Sequence, residues 1–428
     1  MTEDKPAPVP AAKSSILFVF LVVLIDMIGF GIIMPVLPTL ITEITGDSLA
    51  EAAIDAGWLA FAYAAMQFVF GPIIGNLSDR FGRRPVLLGA LGGYAIAYSL
   101  MGFAPSLLWL FIARIVAGIM GASFSTAYAY IADVTPSEKR SQNFGLIGAA
   151  FGLGFIFGPA IGGILGEYGT RIPFFAAAAL AAVNLVFGFF MLRESLPKSK
   201  RRKFSLARSN AVVALRGLGG QNPVVLWYAA ALTIWMIAHV VYPVVFAFYA
   251  IENFGWSGFT VGLALAFVGV GAAVVQGVLI RVLIPRIGER NAVIIGALGM
   301  ALSTVVYVIA GPGDGWMLAI AIPIGALQGL YQPSINGLMS KAVSDDTQGE
   351  LQGAVASLQS IASVIGPPIF TAVFAAFTIP GALAYLPGAP FGLAGIISLV
   401  ALMVFLRGYG LHCHTRGLVH PDAEPAAP

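Results

Sequence analysis

The sequence predicts an all-α membrane protein of twelve spanning helices arranged as two six-helix halves. Three observations carry this prediction. The first is composition: of 428 residues, 58% are hydrophobic and 10% charged, whereas a water-soluble domain carries roughly 25% charged residues. So few charges cannot cover a water-facing surface of this size, and lipid must be the main solvent. The second is that the apolar residues fall into twelve runs, each near the roughly 20 residues that cross a bilayer. The third is that the connections between these runs alternate in charge, as the two sides of a membrane require.

The runs cover approximately 15–37, 57–76, 86–103, 107–132, 142–165, 173–192, 224–250, 259–281, 291–311, 315–340, 350–378 and 389–407. Unpaired backbone groups are not tolerated in lipid, so the runs are expected as helices. Met1 to Ala12 is polar and rich in Pro and Ala. It reads as a cytoplasmic tail and not as a cleaved leader. Cys413 is the single cysteine, which excludes an intrachain disulfide.

Basic residues set the orientation. Of the 23 Lys and Arg, 21 fall before span 1, in the connections after spans 2, 4, 6, 8 and 10, or after span 12. The longest of these connections holds Arg193, Lys198, Lys200, Arg201, Arg202, Lys203, Arg208 and Arg216. The opposite connections carry Arg171 with Glu43, Asp47, Glu51, Asp55, Glu167, Glu252 and Asp314. Both termini are therefore expected in the cytoplasm. The expected organisation is an N-terminal tail 1–14, a first bundle 15–192, a basic cytoplasmic linker 193–223, a second bundle 224–407 and a tail 408–428.

The halves read as a repeat. Pro35 and Pro243 are 208 residues apart, as are Gly158-Pro159 and Gly366-Pro367; Arg80-Phe81-Gly82 and Arg286-Ile287-Gly288 are 206 apart. Parallel repeats about an axis along the membrane normal are a transporter plan, with the substrate site near mid-membrane between them.

Intramembrane polar residues are the functional candidates. Asp26 lies about eleven residues from either end of span 1, about 15 Å deep at 1.5 Å per residue. A carboxylate there is costly and functional by default, and proton-coupled carriage needs a membrane carboxyl that loads and releases a proton. A static, hydrogen-bonded Asp joining helices is the other reading. Arg114 is the one basic residue deep in a span. At a similar depth to Asp26, it is expected to pair with it, so that protonation would compete with the pair; a static salt bridge is the alternative. Tyr63, Tyr128, Asn184, Gln328, Tyr331, Gln332, Asn336 and Gln359, with Phe30, Phe124, Trp235 and Phe246, are the expected lining of an apolar, weakly polar cavity. His239 is the only histidine within a span, and either titrates or serves as a neutral hydrogen-bonding group. His412-Cys413-His414 sits in a low-complexity tail, and no metal site is expected there. No nucleotide loop, nucleophile set or metal spacing indicates an enzyme.

The connection after span 2 reads Gly75-Asn76-Leu77-Ser78-Asp79-Arg80-Phe81-Gly82-Arg83-Arg84. It resembles the major facilitator signature G-x-L-x-D-R-x-G-R-R/K. Glycines allow a tight turn, and Asp79 can accept from a helix N-terminus and pair with arginines. That makes a charged latch which forms in one rocking state. In the second half, Pro285 stands at the Asp79 position. Span 5 carries Gly145, Gly154, Gly158, Pro159, Gly162 and Gly163, and resembles the antiporter signature G-x8-G-x3-G-P-x2-G-G. Gly154, Gly158 and Gly162 at i, i+4 and i+8 make one helix face smooth for close packing, and the proline favours a bend. Arg114 to Gly121 resembles the helix-4 pattern of the family, with Ala117 in place of Gln.

The resemblance extends over essentially the whole chain to the tetracycline/proton antiporter branch of that superfamily. It implies export of a lipophilic or amphipathic small molecule in exchange for protons, by alternating access. It also implies a bacterial inner-membrane location, a monomer, no cofactor beyond the proton gradient and no nucleic-acid partner. Gln67 and Gln276 match glutamines of the branch and are expected as cavity donors. Ala97, Ala272 and Met300 replace titratable residues of the branch, which bears on recognition of a drug–metal chelate. Carriage of a cellular metabolite, sugar or peptide product on the same fold is the alternative.

Overall fold

The computed structural model of the protein describes residues 12–122, 124–135, 140–202, 204, 223–344, 347–382 and 384–415, with side chains except at 12–16, 18, 124, 140–147, 151 and 412–415. The first eleven residues, linker positions 205–222 and the tail beyond 415, on which several expectations fall, lie outside the described residues. So do the side chains of Phe124 and of His412-Cys413-His414.

The described chain is helical, with no strand among the described residues. The first half comprises α1 (Ala12–Ile33), α2 (Leu37–Thr45), α3 (Leu49–Phe81), α4 (Arg83–Phe103), α5 (Leu107–Gly121), α6 (Phe124–Val134), α7 (Arg140–Gly166) and α8 (Ile172–Met191). The second comprises α9 (Pro223–His239), α10 (Val241–Phe254), α11 (Gly258–Val274), α12 (Ile280–Ile309), α13 (Leu318–Ala326), α14 (Tyr331–Ala342), α15 (Gln348–Ala376) and α16 (Ala389–Thr415).

Several helices are two pieces of one crossing. α1 and α2 meet at 48° across the turn holding Pro35, because proline withholds an N–H and clashes with the preceding turn. Counting that pair once, eleven stretches among the described residues are long and apolar enough to cross a membrane. One of them, Gly258–Ile309, runs 52 residues and is broken at Gly288, whose φ of 78° and ψ of 162° leave the helical region. Split there, it is two crossings, and the pattern agrees with the twelve read from sequence.

α1 packs on α7 and α8, and α4 on α5 and α8; α16 packs on α9 and α12. Among the described residues, the halves are joined mainly by α3 with α15 and α7 with α11, and α3 also touches α10. These contacts are tight at the end carrying the acidic connections. A Cβ on Gly57 of α3 would fall on the Thr371 side chain of α15, and one on Gly262 of α11 would fall on the Pro159 carbonyl of α7. Gly163 likewise faces the Gly258 backbone, and Gly269 the backbone at Phe155. Toward the other end the same helices part: a Cβ on Gly71, Gly148, Gly152, Gly277 or Gly349 meets nothing within 4 Å. The halves therefore meet on the acidic-loop face and stand open on the basic-loop face.

Candidate functional site

Between the halves lies a cavity of about 220 Å³ walled by α1, α2, α3, α5, α10 and α15. Phe30 and Ile33 come from α1 and Met34 from the turn after it, Tyr63 and Gln67 from α3, and Ser363 and Pro367 from α15. Arg114 of α5 is the one charged residue among the described lining. The Arg114 Nε and the Asp26 Oδ1 are both buried without a hydrogen-bond partner. Asp26 sits one turn before Phe30 on α1. The expected Asp26–Arg114 pair is not formed: neither residue joins any ion pair among the described residues. The reason is geometric: α1 packs chiefly on α7 and α8, and α5 on α3 and α4, so a similar depth does not bring the two side chains together.

These tyrosines form a cluster that the sequence reading did not single out. Tyr94 and Tyr98, one turn apart on α4, stack with ring centroids 5.7 Å apart at 16°. The hydroxyls of Tyr63 and Tyr94 and the amide of Gln67 converge on Gly121, where a Cβ would collide with all three. Gln67 Nε2 donates to the Gly121 carbonyl at 3.2 Å. A small residue at 121 is thus what lets α3, α4 and α5 bring these groups together. The i, i+4 tyrosine pair in span 3 was the available signal.

A second cavity, of about 110 Å³, lies inside the second half. His239, Gln276 and Gln328 line it, together with Tyr242 and Ala272. His239 packs on Trp235 at 5.1 Å, and Trp235 stacks on Tyr331 at 4.7 Å and 9°.

The remaining candidates fall elsewhere. Asn184 is fully buried and donates to the Val22 carbonyl at 2.9 Å, so it fastens α8 to α1 and does not face a cavity. Tyr128 is 42% exposed, and Gln332, Asn336 and Gln359 line neither cavity. Phe246 and Trp235 are buried packing residues, 1% and 4% exposed. Tyr331 is also buried, and its hydroxyl donates to the Ala231 carbonyl at 3.3 Å.

The turn after α3 is built on Gly82, whose φ of 107° with ψ of 161° suits only glycine. Arg83 is nearly buried and bridges three acceptors: Asp79 Oδ1 at 2.6 Å, Asp133 Oδ2 at 3.2 Å and Ser78 Oγ at 2.5 Å. Its N–H donates to Glu194 Oε1 at 2.9 Å. Arg202 N–H donates to the Asp79 carbonyl at 3.0 Å. Arg84 donates to the Phe189 carbonyl at 2.6 Å, and Arg80 lies over the Phe81 ring. Asp79 thus pairs within its own half, and the start of the basic linker is docked on the turn. Gly75 approaches only Ser125 of α6.

The second half repeats the turn with inverted charge. Gly288 has nearly the backbone angles of Gly82. Glu289, at the Arg83 position, pairs with Lys341, at the Asp133 position, at 2.8 Å. An ion pair therefore fixes the same spot in both halves with the signs exchanged. In α7, a Cβ on Gly154, Gly158 or Gly162 would collide with the backbone of α1 at Met27, Gly31 and Ile32, so this face is the α1–α7 contact. Gly163 instead faces α11 across the halves. Of Gly145 only the helical backbone is described.

A cavity enclosed between two like halves, shut on one face and open on the other, defines a secondary transporter. The chain belongs to the Major Facilitator Superfamily, whose family model matches residues 19–367. It is 39% identical over 402 residues to the class C tetracycline resistance protein of Escherichia coli, covering 93% of this chain and 98% of that one. It is 38% identical over 371 residues to the class G tetracycline resistance protein of Vibrio anguillarum, covering 85% and 91%. Among solved structures it matches the nucleoside transporter NupG with a TM-score of 0.73 at 13% identity, over 92% of this chain and 98% of that one. That likeness shows the fold. The family resemblance read from the motifs is thereby borne out, and the chain is a multi-pass membrane transporter.

Proposed function

We propose that the protein exports tetracycline or a similar amphipathic drug from the cytoplasm in exchange for protons. Its termini face the cytoplasm, it works as a monomer, and no cofactor beyond the proton gradient is required. One observation supports this above the others: Arg114 lines the inter-half cavity and Asp26 lies one turn before the lining residue Phe30 on α1, each with a buried polar atom that has no hydrogen-bond partner and neither in an ion pair among the described residues. Uncompensated polar atoms in a low-dielectric site are costly, and a ligand or a proton relieves the cost. Arg114 suits an electron-rich oxygen of the drug, while Tyr63 and Gln67 supply directional hydrogen bonds and the apolar wall takes the ring surface.

The exchange follows from these groups. With the basic-loop face open to the cytoplasm, drug enters against Arg114 and favours a deprotonated Asp26. The loaded halves rock, the acidic-loop face opens, and drug leaves. A proton from outside then neutralises Asp26, and the empty, protonated protein returns. Inverted membrane vesicles holding the protein should accumulate tetracycline when energised and lose it on collapse of the pH gradient. Vesicles that take up a sugar or peptide but no drug would instead support carriage of a metabolite. Orientation is tested separately: reporter fusions at Pro105 and Ser205 should read as periplasmic and cytoplasmic, and the reverse pattern would overturn the sidedness of this cycle.

A further inference from the structure

On the outside of the first half, α4 and α8 leave a groove of about 500 Å³ between them. Small residues line it: Ala95 and Ser99, one turn apart on α4, and Ala179 and Ala182, one turn apart on α8. Phe103 and Phe175 close its acidic-loop end, edge to face at 4.7 Å. Ser99 is the one polar residue of the described lining, and its hydroxyl donates to the Ala95 carbonyl at 2.8 Å. The wall therefore suits hydrocarbon. From Phe103 back to Ala95 is eight residues, about 12 Å at 1.5 Å per residue, and half the hydrocarbon core of a bilayer is about 15 Å. The groove thus starts at the acidic-loop interface and runs about one leaflet deep. Beyond it α8 turns bulky side chains outward: Val183, Val186, Phe189 and Phe190 are each more than half exposed. A second copy of the chain would need a fitted face along a whole crossing, whereas an acyl chain needs a trough one leaflet long.

Arg171 stands at the mouth of this groove, one turn before Phe175. Its Nη1 donates to the carbonyls of Gly102 and Ala104, on either side of Phe103, at 3.0 and 2.9 Å. Its Nε donates to Glu43 Oε1 at 3.3 Å. The guanidinium is thereby fixed at the groove's end while 34% of the side chain stays exposed, with 45% of Glu43 exposed beside it. We propose that the groove and this ion pair form a binding site for a zwitterionic glycerophospholipid of the leaflet on the acidic-loop side. One acyl chain lies in the groove, the phosphate meets Arg171 and the headgroup ammonium meets Glu43. A planar guanidinium matches phosphate oxygens. The surrounding charge fixes the headgroup class. Arg171 shares its side of the membrane with Glu43, Asp47, Glu51, Asp55 and Glu167, so a net-anionic headgroup meets repulsion there. A headgroup with both signs complements both members of an exposed pair that contributes little by itself. The chain in the groove supplies the dispersion contacts that a gap between two helices forfeits, and ties the outer ends of α4 and α8 together.

The readout is bound lipid, so the test stands whichever molecule the protein carries. Purified protein in detergent is equilibrated with equal amounts of dioleoyl phosphatidylethanolamine and dioleoyl phosphatidylglycerol, and retained lipid is counted by native mass spectrometry. The wild type should retain phosphatidylethanolamine in preference. Ala179→Leu with Ala182→Leu fills the groove from two outward-facing positions and should lower that retention at least about tenfold, because methylenes of the chain lose their burial. Glu43→Gln should reduce the preference over phosphatidylglycerol about fivefold, the scale of an exposed charge pair. Arg171→Gln should lower retention of both lipids. Arg171 also fastens the ends of α4 and α8, so the leucine pair and Glu43→Gln decide the matter if that variant does not fold. Unchanged retention in the leucine pair would overturn the site. Equal retention of the two lipids by the wild type would overturn the headgroup assignment. A dimer mass in the wild type that disappears in the leucine pair would assign the groove to a second copy and overturn the lipid site.

Discussion

Arg83 serves three acceptors at once, and its loss would leave Asp79 and Asp133 facing each other without a cation. The Arg83 side chain is 10% exposed and that of Asp133 23%, so the pair is screened by protein more than by water. Removing one partner of a buried pair costs about 3–5 kcal/mol. Arg83→Gln should lower the melting temperature in detergent by several degrees. Arg83→Lys should recover only part of it, since an ammonium cannot reproduce the forked contact. An unchanged melting temperature in Arg83→Gln would show the turn to be held by Gly82 and the docked linker alone. Asp79→Asn is a different experiment at the same turn. Arg83 keeps Asp133 and Ser78, so the variant should fold and bind drug, yet transport slowly if Asp79 must latch the basic-loop face when it closes. Transport at the wild-type rate would rule the latch out.

At the scale of helices, the α1–α7 contact is decided by glycine. Backbone lies opposite Gly158 and Gly162, at Gly31 and at the Ile32 carbonyl, and backbone cannot rotate away as a side chain can. Overpacking a fitted contact costs about 1–3 kcal/mol. Gly162→Val should cost at least this much and reduce the monodisperse fraction on size-exclusion chromatography. By contrast Gly148→Ala and Gly152→Ala, which face open space, should leave it unchanged. Equal behaviour of the two groups would refute the packing described. This face was legible in the sequence because three glycines at i, i+4 and i+8 can only share one side of a helix. The signature turn was legible for a similar reason, since its spacing is local. The helix breaks at Val240, Val275–Leu279 and Leu327–Leu330 were not legible, because they depend on neighbours far along the chain that leave a cavity beside them. Polarity alone also misled: Asn184 reads as a cavity group, but its amide N–H is spent on the Val22 carbonyl of the neighbouring helix. Asp26 and Arg114 read as partners by depth, but depth does not fix the angle around a helix axis.

For the whole molecule, the shut face and the open face are two ends of the same helix pairs. Gly57 and Gly262 allow the closest approach between halves on the acidic-loop side. Gly57→Val with Gly262→Val should oppose closure there and shift the population toward opening on that face. In a Cys413→Ser background, a cysteine at Met34, on the cavity wall, should then react faster with an impermeant thiol reagent added from that side. No change in rate would mean that these glycines do not set the balance between the two states. The central claim is that the drug and the proton use one conformational cycle through Asp26. Asp26 is the acidic residue placed deep in a span, away from the ion-paired turn at Asp79 and Asp133; it joins no ion pair among the described residues, and its Oδ1 is buried without a hydrogen-bond partner. The decisive measurement is tetracycline transport by Asp26→Asn in proteoliposomes under an imposed pH gradient, with drug-dependent proton release recorded in parallel. The account predicts that drug binding and downhill exchange survive while uphill transport and drug-dependent proton release are both lost. Uphill transport at the wild-type rate in Asp26→Asn would contradict it and make Asp26 a structural residue.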